Sequence, residues 1–369
     1  MSIVTRALHA AGLVALLALP VCLAAPAGAQ EYAKIEADGA LRVPSFTLPQ
    51  SSLISPEMHQ AYVEQLRDMQ TWPRPPAMDA PIAEWHKFRK AFDDTLQIPL
   101  VEKLKQRYPV EIRSETIAGV RTDVVTPREG VAAKNRDRVL IDLHGGAFYL
   151  GAGAGGLLES IPVAGLGKIK VISVDYRMAP EHRFPAASED VAAVYRALLK
   201  TYKPENIGIY GCSAGGALAA QSMAWFQKHE IPRPAAVGIF CSSAGSGRGD
   251  SAIWDTSGLL VAPATAAPAP AGYMSGADPM DPLARPIVSP QVLAKFPPTL
   301  LVTGTRAGEM SSAILSHAAL LKAGVDSQLY LIEGGWHGFF MGNQQIPEAR
   351  DAVTYIVKWF DAHLGKNPG

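Results

Sequence analysis

Several features that would point to a specialised class of protein are scarce or missing in this sequence. The 34 basic and 34 acidic side chains cancel to a formal net charge of zero, which gives no reason to expect a nucleic-acid partner or electrostatic docking on a membrane. No repeat or heptad pattern is present, which excludes a solenoid and a coiled coil. There are only three cysteines. Two of them, Cys212 and Cys241, follow apolar runs and could form a disulfide, but two buried free thiols are the expected state.

What is present favours a globular protein that acts on small molecules. The 369 residues are 48% apolar and 18% charged, enough to build a substantial buried core.

The first residues have the form of a secretion signal. Arg6 precedes an apolar run that ends at Ala27-Gly28-Ala29, a small-x-small pattern typical of signal-peptidase sites. We therefore predict a signal peptide over residues 1–29, export to the periplasm or beyond, and no stable membrane insertion after cleavage. A single membrane anchor is the alternative, but Pro20 interrupts the run, which is also short for a spanning helix.

The rest of the chain divides into a helical segment and a larger α/β domain. Residues 30–112 show helical spacing in 55–70 and 81–96, with a Pro-rich stretch between, and we expect this segment to pack over the remainder as a cap. Over residues 113–369 short apolar runs alternate with helical stretches, which predicts a mostly parallel sheet with helices on both faces. Within that domain, residues 245–290 form an insertion rich in Ala, Pro and Gly, of a length typical of lids.

One motif predicts a nucleophile. Gly211-Cys212-Ser213-Ala214-Gly215 fits G-x-S-x-G and lies between an apolar run and a helix-forming stretch. A tight turn there would raise the hydroxyl of Ser213 above the sheet. The alternative is a Gly-rich turn with a capping serine.

A nucleophilic serine needs donors for the oxyanion that develops during attack. His144-Gly145-Gly146-Ala147 follows another apolar run. We predict that the amides of Gly145, Gly146 and Ala214 supply these hydrogen bonds, with an ordinary tight turn as the alternative.

The base is predicted from its surroundings. Of nine histidines, only His337 lies in a Gly-flanked loop after a strand-like run, and this position fits the order serine, acid, histidine. His317 and His363 lie in helical patterns.

Together these motifs resemble a known family. HGGAF (144–148), DYRMAPEHRFPAA (175–187), GCSAGG (211–216), DPMDPL (278–283) and GGWHGF (334–339) are similar, in type and order, to motifs of the bacterial hormone-sensitive-lipase-like esterases of the α/β-hydrolase superfamily. The resemblance covers about residues 110 to 365. It implies a central mostly parallel sheet, with a cap from N-terminal helices and an insertion after strand six. It also implies hydrolysis of small carboxylic esters, often with short acyl chains, without a metal or organic cofactor. Asp175, Arg177 and Glu181 would then be scaffold ion-pair groups.

The chain departs from the family pattern at the acid of the triad. The family's aspartate usually follows Gly-Thr-Arg, whereas here Gly304-Thr305-Arg306 is followed by Ala307. Glu309, two residues on, is predicted to take its place, because a glutamate can orient and stabilise the histidine equally well. The alternative is a solvated glutamate at a helix start. Asp278 and Asp281 are less favoured because they belong to the cap-side motif.

Other assignments stay open at this point. Phe148, Tyr149, Trp254 and Trp336 could line the substrate pocket or belong to the core. GAGAGG (151–156) with Asp175 superficially fits a dinucleotide site, but HGGAFYL separates these glycines from the preceding run. A hydrolase fold that only binds a ligand is another alternative. Sugar acetates, lactones and polyesters are alternative substrates, and no pattern indicates an oligomeric state.

Overall fold

The computed structural model describes residues 34–43, 47–245, 249–253, 255 and 272–366. The predicted signal peptide and Trp254 lie outside these residues. The chain forms two units, residues 1–49 and 50–369. In the first, strands β1 (Lys34–Ile35) and β2 (Leu41–Arg42) form a small antiparallel hairpin. All other elements belong to the second.

The second unit begins with helices, as the spacing of residues 55–70 and 81–96 predicts. Ser55 caps the first helix, because its hydroxyl accepts a hydrogen bond from the Met58 amide and Pro56 follows at the first helical position. The helical elements are α1 (Pro56–Asp68), α2 (Ile82–Phe92), a π-helical turn (Asp93–Gln97) and α3 (Ile98–Arg107).

An eight-stranded sheet forms the centre of this unit, in the order β10-β9-β8-β7-β5-β6-β4-β3. Strand β4 runs antiparallel to both of its neighbours, and the pairs from β6 to β10 are all parallel. The prediction of a mostly parallel α/β sheet is therefore confirmed. The strands are β3 (Val110–Ile117), β4 (Val120–Pro127), β5 (Val139–Leu143), β6 (Lys170–Val174), β7 (Ile207–Cys212), β8 (Ala236–Phe240), β9 (Thr299–Gly304) and β10 (Ser327–Ile332).

Helices cover both faces of the sheet. Ile209 and Tyr210 of β7 point into different clusters of buried apolar residues, one shared with α5, α6 and α8 and the other with α1, α3, α4 and α9. Because both faces are covered, the central strands read as unbroken apolar runs. The helices after β5 are α4 (Ala154–Gly167), α5 (Ala186–Leu198), α6 (Ala214–Lys228), α7 (Pro290–Leu293), α8 (Met310–Lys322) and α9 (Pro347–His363).

The strand order determines where a ligand can bind. The chain passes from β5 to β6 on one side, then returns to β7 on the other side of β5. The loops at the carboxyl ends of β5 and β7 therefore meet at a topological switch point, where open α/β sheets bind their ligands. The predicted insertion at 245–290 follows β8, the sixth strand of this sheet.

Two further observations concern the described residues. Cys212 and Cys241 are both buried free thiols. No helix in this part of the chain is long and apolar enough to cross a membrane.

Candidate active site

Ser213 occupies a sharp turn between β7 and α6. Its backbone has φ 58° and ψ −120°, a conformation that is strained for a residue with a side chain. The flanking glycines are required by space: a Cβ atom on Gly215 would lie 1.6 Å from the carbonyl oxygen of Leu143, and one on Gly211 would lie 2.2 Å from the same atom. The turn therefore packs directly against the end of β5, and only glycine fits at both positions.

The structure joins the three predicted triad residues in a chain of hydrogen bonds. The Oγ atom of Ser213 lies 2.9 Å from Nε2 of His337, and Nδ1 of His337 lies 2.9 Å from Oε2 of Glu309. The three side chains come from the segments that follow β7, β10 and β9, all at the carboxyl edge of the sheet. This arrangement can move a proton from the hydroxyl to the imidazole.

Glu309 reaches His337 from the start of α8, whose N-cap residue it is. Its side chain is only 15% exposed, and its Oε1 atom also accepts a hydrogen bond of 3.1 Å from the hydroxyl of Thr303. The solvated-glutamate alternative therefore does not describe it. Ala307, in the position of the family aspartate, is fully buried.

The charges of Glu309 and His337 stabilise each other. Burial by itself would raise the pKa of Glu309, but the charge and hydrogen bond of His337 lower it below its ordinary value. Burial would likewise lower the pKa of His337, but the Glu309 carboxylate outweighs this and raises it. Glu309 is therefore ionised, so a neutral His337 ring donates Nδ1–H to it, and Nε2 of that neutral ring can accept the proton of Ser213.

The loop after β5 differs from the prediction in one respect. The Gly145 amide donates a hydrogen bond of 2.7 Å to Oε1 of the buried Glu159, so it is not available to an oxyanion. The assignment of Gly145 as an oxyanion donor is therefore wrong. Within the described residues, the amides of Gly146, Ala147 and Ala214 have no hydrogen-bond acceptor in the protein. These three amides are the available donors, and Ala147 replaces Gly145 in the set.

His144 and Tyr176 fix the peptide planes of the same loop. The hydroxyl of Tyr176 donates to the His144 carbonyl at 2.6 Å, and Nδ1 of His144 lies 2.7 Å from the carbonyl of Gly145. Burial lowers the pKa of His144 to about 4, so the ring is neutral, and Nδ1 must carry its proton to make this contact. Because C=O and N–H of a trans peptide point in opposite directions, the Gly146 amide is turned away from His144.

The predicted pocket residues pack against other aromatic rings. Phe148 is buried and stacked on Tyr273, with 4.5 Å between the ring centroids. Trp336 is buried beside Tyr62 at 5.4 Å. For these two the core alternative describes the packing. Tyr149 is half-buried against aromatic side chains of α2, and its place in the pocket stays a prediction.

The charged groups of residues 175–187 form scaffold ion pairs, as the resemblance implies. Glu181 pairs with Arg89 at 2.6 Å and Arg177 with Asp190 at 2.8 Å. Asp175 pairs with Arg121, and its other oxygen accepts the Gly153 amide at 2.8 Å. Because the Asp175 carboxylate is already bonded to protein groups, the dinucleotide alternative does not fit.

Asp278 and Asp281 also have local roles. Their side chains accept backbone amides two residues further on, those of Met280 and Leu283, which is an ordinary turn-stabilising contact.

Three contributors to the site are not predicted by the motifs: Glu159, Ala147 and Thr303. Glu159 does carry a signal, because it is the only charged residue in the fourteen residues of α4, and a lone acid in an apolar helix needs buried partners. The orientation of the Ala147 amide has no comparable signal in the sequence.

Comparisons with known proteins agree with this geometry. A family model described as the alpha/beta hydrolase fold matches residues 140–341, more than half of the chain. An acetyl-hydrolase of Streptomyces hygroscopicus is 29% identical over 231 residues, which cover 60% of this chain and 74% of that protein.

Solved structures give the same result. The crystal structure of an esterase, E25, has a TM-score of 0.73 and 29% identity, and the match covers 88% of this chain and 99% of that one. An esterase from the bacterial hormone-sensitive lipase family has a TM-score of 0.68 and 24% identity, with coverage of 84% and 99%. The family match shows that the chain belongs to the α/β-hydrolase family, and its motifs resemble those of the hormone-sensitive-lipase-like esterases.

Proposed function

We propose that this protein is an exported carboxylesterase that hydrolyses short-chain esters through an acyl-enzyme on Ser213. The observation that carries the proposal is the unbroken chain of hydrogen bonds from Ser213 through His337 to Glu309. These hydrogen bonds lie at the carboxyl edge of the sheet, where the free amides of Gly146, Ala147 and Ala214 are also found. A nucleophile, a base, an orienting acid and oxyanion donors together make up the machinery of acyl transfer.

In the acylation step, Oγ of Ser213 attacks the ester carbonyl while its proton passes to Nε2 of His337. The Glu309 carboxylate stabilises the imidazolium that forms, and the free amides stabilise the oxyanion. When the tetrahedral intermediate collapses, the bond to the alcohol breaks and His337 protonates the leaving oxygen.

Deacylation repeats the sequence with water. His337 removes a proton from the water as it attacks the acyl carbonyl, and it returns that proton to Oγ of Ser213 when the acid leaves. The enzyme is thus regenerated without a redox step or a cofactor.

The preference for short acyl chains is supported by the likeness to an acetyl-hydrolase. Sugar acetates are compatible with the same preference, and lactones and polyesters are the other candidate classes. A series of p-nitrophenyl esters from acetate to decanoate, followed by acetylated sugars, lactones and soluble polyester oligomers, would rank these classes by kcat/KM.

The nucleophile is tested with Ser213→Ala and with Ser52→Ala as an exposed control. We expect Ser213→Ala to abolish turnover of p-nitrophenyl acetate and labelling by an aryl phosphonate, while the control behaves as wild type. Mass spectrometry of the labelled protein should locate the adduct on Ser213. Saturable ester binding without turnover in the wild type would instead identify a ligand-binding protein.

Export is supported by the pattern of residues 1–29 and is tested separately. When the whole chain is expressed in a Gram-negative host, we expect periplasmic protein whose first residue is Gln30, as measured by intact mass. Replacing Ala27 and Ala29 with leucine should block processing. Full-length wild-type protein in the membrane fraction would indicate an anchor.

A further inference from the structure

Two buried acids lie behind the active site and have no part in the triad. Glu159 on α4 is 6% exposed and Asp142 on β5 is fully buried. Burying a carboxylate costs free energy unless the carboxylate is hydrogen-bonded. The hydrogen-bond partners of these two acids therefore indicate their structural role.

Glu159 bonds to both of the loops that form the site. Its Oε1 atom accepts the Gly145 amide at 2.7 Å, and its Oε2 atom accepts the Cys212 amide at 2.9 Å. Gly145 lies in the loop after β5, and Cys212 immediately precedes Ser213. One carboxylate therefore connects the oxyanion loop to the nucleophile turn.

Asp142 lies next to this bridge. Its Oδ2 atom accepts the hydroxyl of Ser173 at 2.8 Å, while its Oδ1 atom has no hydrogen-bond partner among the described residues. A charge on Asp142 would raise the pKa of Glu159. Two buried carboxylates this close together repel each other, so one of them holds a proton.

The contacts decide which acid holds that proton. Both oxygens of Glu159 accept a backbone amide, as a carboxylate would, whereas Oδ1 of Asp142 accepts no hydrogen bond from the described residues and can carry the proton. Burial raises the pKa of both groups, and a charge on Asp142 would raise that of Glu159 further. The pair therefore carries one charge, on Glu159.

We propose that Glu159 is a positioning residue that holds the oxyanion loop in register with Ser213, and that the buried Asp142 beside it is neutral. Because Glu159 binds the Gly145 amide on the inner side of the loop, the following amides of Gly146 and Ala147 are left for the substrate. The proposal rests on the proposed function, since it assigns the pair a role in ester hydrolysis.

This arrangement predicts opposite results for two isosteric substitutions. In Asp142→Asn the side chain stays neutral, and its oxygen can still accept the hydroxyl of Ser173. In Glu159→Gln the side-chain NH₂ must face one of two backbone N–H donors, so one of the bridging bonds is lost. If the site required only the volume of these two side chains, both substitutions would have the same effect on activity.

Turnover of p-nitrophenyl butyrate tests the roles. We expect Asp142→Asn to keep kcat within about threefold of wild type. We expect Glu159→Gln to lower kcat about 10²-fold with little change in KM, because misplaced oxyanion donors weaken binding of the transition state more than of the substrate. Circular dichroism is used to confirm that each variant is folded. Wild-type kcat in Glu159→Gln, a loss confined to KM, or an equal loss in both variants would overturn the proposal.

A second measurement is independent of turnover and of whether Glu159→Gln folds. Infrared spectroscopy at pH 7 should show a protonated-carboxyl stretch in the wild type and in Ser213→Ala that disappears in Asp142→Asn. Absence of this band from the wild type, or its persistence in Asp142→Asn, would overturn the proton assignment. Absence of esterase activity with the band intact would instead reject the proposed function.

Discussion

At the residue scale, the acid predicted for the triad shows that a carboxylate two residues further along a loop can still reach the histidine. Glu309 occupies the N-cap of α8 and still bonds His337 at 2.9 Å. The amides at the start of the helix favour its negative charge. Glu309 lies two residues beyond the position of the family aspartate. Its longer side chain and the turn that leads into α8 compensate for this difference.

Substitution of this acid should slow the reaction. Glu309→Gln leaves the shape intact but removes the charge that stabilises the imidazolium, so we expect kcat to fall by about 10²- to 10⁴-fold. Steady-state hydrolysis of p-nitrophenyl acetate measures the effect. Glu333→Gln, an exposed change near His337, is the matched control. Equal rates in Glu309→Gln and wild type would show that another group serves as the acid.

The pH profile should change in a defined direction. The Glu309 carboxylate raises the pKa of His337, and only the neutral imidazole can accept the proton of Ser213, so wild-type kcat/KM rises as the pH passes upward through this pKa. In Glu309→Gln the imidazolium loses its partner, and the acidic limb should shift to lower pH. An unchanged or upward-shifted limb would contradict the coupling.

At the element scale, the nucleophile turn depends on two glycines whose need is steric. Gly215 lies at the start of α6, where its hydrogen replaces a Cβ that would overlap the Leu143 carbonyl. The glycines of G-x-S-x-G are therefore required because the start of α6 packs closely on the end of β5.

Gly215→Ala should separate this requirement from helix propensity. Because the Cβ would meet rigid backbone at 1.6 Å, we expect loss of activity and a destabilisation of about 3 kcal/mol or more. Gly155→Ala is the control: it also lies in a helix, and its Cβ would meet only the movable side-chain amide of Gln97, at 3.0 Å. Thermal denaturation compares the two. Similar melting temperatures would show that the turn can rearrange.

The limits of prediction are also clearest in individual elements. The apolar runs and the Gly-rich turns predicted the sheet and the position of Ser213, because both are local consequences of backbone geometry. The direction of the Gly145 amide was missed, because it depends on Glu159 in the next helix. Phe148 and Trp336 could not be assigned from their position beside motifs, because pocket and core select the same aromatic side chains.

At the scale of the whole molecule, one arginine on α2 adds several polar contacts between the N-terminal helices and the hydrolase core. Arg89 on α2 donates to the carbonyls of Tyr149 and Ala179 at 2.7 Å each and pairs with both oxygens of Glu181. These partners lie beside the oxyanion loop and after β6. The segment therefore supports the loop that contains the amides of Gly146 and Ala147.

Removing this connection should loosen the segment. Arg89→Met leaves two carbonyls and a partly buried carboxylate without their donor, and we expect a loss of about 2–4 kcal/mol in stability. Lys90→Met, which removes only an exposed pair with Asp94, should change little. Limited proteolysis within residues 70–110, together with thermal denaturation, measures both effects. Equal resistance in the two variants would show that apolar packing alone holds the helices.

The strained backbone of Ser213 has a consequence for laboratory evolution. With φ at 58°, this position would suit glycine better, and Ser213→Gly would relieve about 1 kcal/mol or more of unfavourable conformation. A population selected for heat resistance alone, with no demand for ester cleavage, should therefore tend to lose the serine that we propose as the nucleophile. Thermostabilisation of this protein needs an activity screen in every round, because the fold would be more stable without this serine.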